Sequence, residues 1–96
     1  SIELHVRQTG LEGRTVTMVF EGRESRTERL AAQLERSPSV AAVKEVEAGG
    51  GKATLEIISR VKRDQLEREL LRAATQQGIT IQKVRSEGNR STWKIR

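Results

Sequence analysis

Cysteine and tyrosine are absent from this 96-residue chain, and proline, histidine, methionine, phenylalanine and tryptophan occur once each. Without cysteine there is no disulfide, no thiolate nucleophile and no thiolate-ligated metal, and the omission suits a reducing cytosol and an extracytoplasmic space equally. The one imidazole, His5, lies on the polar side of an alternating stretch with no second ligand beside it. A lone histidine makes neither a metal site nor a proton relay, so His5 is read as a surface residue. No apolar run approaches the roughly 18 residues of a membrane span, the opening SIELHVRQ lacks a signal-peptide core, and Ser1 in place of an initiating Met points to a fragment of a longer protein. Aromatics are limited to Phe20 and Trp93, so the core of a single domain over residues 1–96 must be aliphatic.

Charge is plentiful and uneven. Residues 1–59 hold eight basic and nine acidic side chains, whereas 60–96 hold ten basic and four acidic, so the net charge of +5 belongs to the C-terminal third. A basic surface of this kind steers nucleic acid, an anionic membrane or an acidic protein partner, and its bland counterpart is an arginine-rich solvated face.

Ile2, Leu4 and Val6 alternate with Glu3, His5 and Arg7, the period of a half-buried strand over residues 1–8. Residues 14–21 alternate again, with Val16, Met18 and Phe20 on one side and Thr15, Thr17 and Val19 on the other. Ser25 with Glu28 has capping-box spacing, Leu30, Ala31 and Leu34 form a helical stripe, and Ser37-Pro38 ends it. Residues 40–46 predict an outer strand, and 52–59 a strand with Ala53, Leu55 and Ile57 inward. Asp64 with Glu67 is a second capping-box candidate, followed by the stripe Leu66, Leu70, Leu71, Ala73 and Ala74, and Gly78 suits a helix C′ position. Residues 79–84 and 90–96 complete the strands, with a turn signal at Glu87-Gly88-Asn89-Arg90 between them.

The order β-β-α-β-β-α-β-β contains β-α-β-β-α-β over residues 14–84. The expected fold is therefore an α+β, ferredoxin-like sandwich with two helices on one face of an antiparallel sheet and the strands at 1–8 and 90–96 extending an edge.

The motif that most invites a chemical interpretation is EAGGGKATLEI at 47–57. A phosphate loop needs an earlier glycine where Val46 stands, a hydroxyl residue where Ala53 stands, and a helix to follow. A strand follows instead, so the glycines are assigned to a hairpin. The carboxylate pairs Glu45/Glu47 and Glu67/Glu69 are taken as solvated charge. No catalytic residue, cofactor or metal is expected. Sheet-face RNA binding needs aromatic rings on the central strands, and none is there. That leaves backbone contacts by Arg60, Lys62, Arg63, Lys83, Arg85, Arg90, Lys94 and Arg96, with Trp93 as a rim residue on the sheet edge, a single stacking platform or an interface anchor.

LAAQLERSPSVAAVKEVEAGGGKATLEI and DQLERELLRAATQQGITI resemble heavy-metal-associated domains in the spacing of helix, turn, strand, glycine hairpin and second helix. In that family two cysteines precede the first helix, and EGRES at 21–25 has neither, so the resemblance implies the fold without metal transport. The same spacing is similar to small α/β modules of bacterial secretion and flagellar assembly proteins, which pack side by side. The expectation is a non-enzymatic protein-interaction or assembly module, one domain of a larger bacterial protein, that binds a protein partner or itself. A nucleic-acid backbone binder using the basic C-terminal hairpin is the alternative.

Overall fold

Alternating apolar residues can bury only one side of each strand, and two helical stripes of similar size are available to cover that side. In a computed structural model, which describes residues 2–96, the result is one six-stranded sheet with both helices against the same face. The elements are β1 (Ile2–Glu12), β2 (Thr15–Arg23), α1 (Glu24–Glu35), β3 (Val40–Gly49), β4 (Lys52–Ser59), α2 (Arg63–Gln76), β5 (Ile81–Glu87) and β6 (Arg90–Ile95). Every strand pair is antiparallel, in the order β3-β4-β2-β1-β6-β5. Ser1 lies outside the described residues.

The α+β class, the antiparallel sheet and the β3–β4 hairpin agree with the sequence, but the two terminal strands do not extend an edge. They enter the sheet between β2 and β5, with β1 joined to β2 by the two-residue turn Gly13–Arg14 and to β6 by pairs such as Leu4↔Trp93. Burial follows this order. Ser91, Thr92, Trp93 and Ile95 of β6, in the interior position, are buried, whereas β5, at the edge, is exposed from Gln82 to Glu87.

The core is the helix-side row of Leu4, Val6, Val16, Met18, Phe20, Leu55, Ile57, Trp93 and Ile95 closed by Leu30 and Leu34 of α1 and Leu66 and Leu70 of α2. Leu71, expected on the α2 stripe, is exposed. Neither proposed capping box forms. α1 begins one residue before Ser25, its N-cap Arg23 makes no side-chain bond, and the Glu24 N–H donates instead to the Gly51 carbonyl at 2.9 Å. α2 likewise begins after Lys62 with no side-chain cap. Its other end is a Schellman motif: Gly78 at φ 67° lets the Ile79 N–H reach Ala74 O at 2.8 Å and its own N–H reach Thr75 O at 3.1 Å.

The glycine run is the expected hairpin. Gly49 pairs with Lys52, and Gly50 and Gly51 sit at φ 63° and 82°, the two positive values that a type I′ turn needs. Gly22 is required for space rather than for its backbone angle. A Cβ there would lie 2.8 Å from Thr27 Oγ1 and 3.0 Å from Glu3 O, where β1, β2 and α1 meet. Gly22→Ala is expected to destabilise the domain by about 1–3 kcal/mol in denaturant unfolding, the usual cost of overpacking. A variant within about 0.5 kcal/mol of wild type would contradict that close approach.

Candidate functional site

Three surfaces gather polar chemistry, and the first is largely buried. Glu67 is 4% exposed, on the sheet-facing side of α2. Its carboxylate accepts from Ser91 Oγ at 2.5 Å, from Lys83 Nζ at 3.0 Å and from Arg63 Nε at 3.5 Å. The Trp93 indole N–H donates to Ser91 Oγ at 2.9 Å, and the Lys83 ammonium lies 5.6 Å from the Trp93 ring centre. Arg63 also holds Gly88 O at 2.7 Å and Ser86 Oγ at 3.1 Å. The cluster ties α2 to the β5–β6 hairpin. Two expectations are corrected here: Glu67 is not solvated, and Trp93, 1% exposed, is core rather than a rim residue or stacking platform. A signal for Glu67 existed, because Glu67, Leu70 and Ala74 stand at i, i+3 and i+7 and so share the apolar side of the helix.

On the sheet face away from the helices, Thr17, Val19, Thr54, Glu56 and Ile58 are half-buried and carry no ring, as their alternation predicts. Arg85, Arg90 and Lys94 lie on that face, where Arg90 is directly opposite Arg7, and Glu3, Glu21 and Glu87 are interspersed. His5 is half-buried in the same face, with Nδ1 3.3 Å from Thr92 Oγ1 and Nε2 3.5 Å from Glu3 Oε1. The charges there are mixed.

The third surface is the end of the sheet where the β1–β2 turn meets the start of α2. An open groove of about 870 Å³ is lined by Leu11, Val16 and Val61 and bordered by Arg14, Arg60, Lys62, Arg63 and Arg68, with Asp64 the one acid. Leu11 is 66% exposed. Basic charge continues past Arg68 to Arg36 and Arg72 in the neighbouring cleft between the helices. In that cleft burial raises the Glu69 carboxyl, but hydrogen bonds from Ser37 and Ser39 and the charge of Arg72 outweigh it and leave the group below its ordinary value. Arg60 is already committed, donating to Pro38 O at 3.0 Å and Val40 O at 2.9 Å. Arg14, Lys62 and Arg68 take part in no ion pair among the described residues. The uncapped start of α2 adds its partial positive charge.

The eight side chains singled out from sequence therefore do not form one surface. Arg63, Lys83 and Trp93 belong to the Glu67 cluster, Arg85, Arg90 and Lys94 to the open sheet face, and Arg60 and Lys62 to the groove. Arg96 ends the chain beside β5, its N–H donating to Thr80 O at 2.9 Å. Sequence reasoning missed Arg14 and Arg68, which reach the groove from a turn and a helix far apart in the chain.

The concavity beside the glycine hairpin is lined by Gly50, Gly51, Lys52 and Arg23 but also by Glu3, Glu21 and Glu24, so it does not concentrate charge of one sign. Among the described residues no three His, Cys, Asp or Glu side chains are grouped as metal ligands, and no helix is long and apolar enough to cross a membrane. The chain matches no protein-family model, and no curated protein or solved structure resembles it at a significant level.

Proposed function

We propose that this domain is a non-enzymatic interaction module that receives an acidic segment of a protein partner, with an apolar anchor, in the groove at the start of α2. One observation carries it: exposed Leu11, beside Val61 and Val16, is bordered by the unpaired cations Arg14, Lys62 and Arg68. An apolar floor under a cationic rim suits a peptide that brings both kinds of group, since the charges set encounter and register and the anchor supplies burial. Its fold is proposed as a variant of the ferredoxin-like arrangement in which β1 and β6 are inserted between β2 and β5, within a larger bacterial protein.

A nucleic-acid backbone is the second reading, favoured by the same cluster of cations. Burial of Trp93 leaves it without a stacking ring, so it would rest on phosphate contacts alone.

The test is titration with a fluorescein-labelled Glu/Leu-rich peptide and, separately, with a labelled oligonucleotide of mixed sequence. Arg14→Glu with Arg68→Glu should weaken peptide binding by about tenfold or more, as like-charge contacts do, and Leu11→Ser should weaken the peptide but not the oligonucleotide. Oligonucleotide binding that survives Leu11→Ser, with none of the peptide, would transfer the groove to nucleic acid. No binding of either at low salt would end both readings.

A further inference from the structure

The two open edges of the sheet carry matching features of opposite charge. At one edge, β3 has a bulge between Glu45 and Glu47, and the extra residue, Val46, is 58% exposed. At the other, β5 has a bulge between Lys83 and Arg85, and its extra residue, Val84, is 43% exposed. One edge thus reads Glu-Val-Glu and the other Lys-Val-Arg, each with an exposed valine at the irregularity.

Bulges and charges on an edge are the usual protection against indiscriminate strand pairing. Here the protection is selective. Two β3 edges brought together would oppose glutamates, and two β5 edges would oppose cations, whereas β3 against β5 opposes unlike charges around two valines. The acidic edge is crowded even by itself: a hydrogen bond with Glu45, then burial and the charges of Glu45 and Glu24, hold the Glu28 carboxyl above its ordinary value. A cation brought to this edge from outside would relieve that repulsion.

Strand direction fits as well. With all five pairings antiparallel, β3 and β5 run in opposite senses, so a copy placed alongside in the same orientation sets its β3 antiparallel to the first copy's β5. Glu45 and Lys83 both lie on the helix side, opposite Leu55 and Trp93, and Glu47 and Arg85 both lie on the open side, opposite Thr54 and Thr92. With Val46 beside Val84, Glu45 faces Arg85 and Glu47 faces Lys83 from opposite sides of the sheet. The like-sided pairs therefore meet diagonally, roughly 7–8 Å apart and within reach of long side chains, across two bulged edges that do not continue the ladder. Lys83 keeps one bond to Glu67, and with its side chain 41% exposed it has donors to spare.

We infer that the domain self-associates head to tail, the β3 edge of one copy docking on the β5 edge of the next through Glu45, Val46 and Glu47 against Lys83, Val84 and Arg85. Contacts of this heterologous kind leave a free edge at each end of an assembly and so propagate. The inference deepens the interaction-module function by naming a second copy as partner, but it uses a different surface from the groove, so either can fail alone.

The test is sedimentation velocity over a concentration series at low and high salt. Wild type should show mass rising with concentration and falling as salt rises. Glu47→Lys alone and Arg85→Glu alone should each raise the association constant's midpoint concentration by about tenfold or more, and Val84→Lys should do the same. Lys83 is left untouched because it supports the core. Mixing the Glu47→Lys and Arg85→Glu proteins should restore association, since each retains the edge that the other lacks, and the double variant should self-associate through the reversed pair. A wild type that stays monomeric at low salt, or single variants that associate as wild type does, would overturn the inference. Peptide binding in the groove by the same monomeric protein would leave the interaction-module function standing.

Discussion

Trp93→Ala is expected to remove about 3–5 kcal/mol of stability, the range for truncating a buried aromatic ring. The ring is part of the core between Leu4 of β1 and Lys83 of β5, and no other side chain can take its place, since the second aromatic, Phe20, is already packed on β2. Small domains have only about 5–15 kcal/mol in total, so a domain at the lower end of that range would be brought close to unfolding. At roughly 4–8 °C per kcal/mol for a domain of this length, the midpoint should fall by at least about 12 °C in a thermal melt. Trp93→Phe keeps most of the volume and loses the N–H bond to Ser91, so its cost should be well below that of alanine. As the sole tryptophan, Trp93 reports on itself. Its emission should be blue-shifted in the native domain and move to the red on unfolding, and a solvent-like spectrum before unfolding would contradict its place in the core.

Glu67→Ala should have the next largest effect, about 2–4 kcal/mol. Removing one partner from a buried ion pair leaves the others without compensation, and here Ser91 Oγ would lose its acceptor while Lys83 and Arg63 lose their shared anion. The figure is held below the usual 3–5 kcal/mol for a broken buried pair because Lys83 remains partly in water. Glu67→Gln retains an oxygen for one donor and should cost less. Combining Glu67→Leu with Ser91→Ala removes the carboxylate and the hydroxyl together and should recover only part of the loss seen in Glu67→Ala, because the buried Trp93 indole N–H then lacks its acceptor. Equilibrium urea unfolding of the set gives the comparison, and a Glu67→Ala variant within about 0.5 kcal/mol of wild type would show that the cluster contributes little.

Local chemistry was legible in the inward rows of the central strands and at the C-terminal end of α2. Val16, Met18 and Phe20 point inward because alternation leaves no other arrangement, and Gly78 terminates α2 because only a left-handed residue completes the Schellman bonds. The capping boxes failed for a related reason. Ser25 and Asp64 have the right neighbours in sequence, but both helices start two residues earlier, with N-caps at Arg23 and Lys62, and at α1 the Gly51 carbonyl from the hairpin receives the Glu24 N–H, a partner 27 residues away. Glu67 was misjudged because its neighbours on the helix surface are arginines, while its decisive partners, Ser91 and Lys83, arrive on β6 and β5.

From the sequence alone came the element order, the α+β class, the hairpin nature of the glycine run and the inward row of each central strand, since each follows from periodicity and backbone preference over a few residues. Only the tertiary structure decided where β1 and β6 enter the sheet, that Trp93 is core, and that Arg14 and Arg68 share a groove with Leu11. Those outcomes depend on which strand buries both of its sides and which stays at an edge. That competition is settled by packing among residues far apart in the chain, where no local spacing carries information.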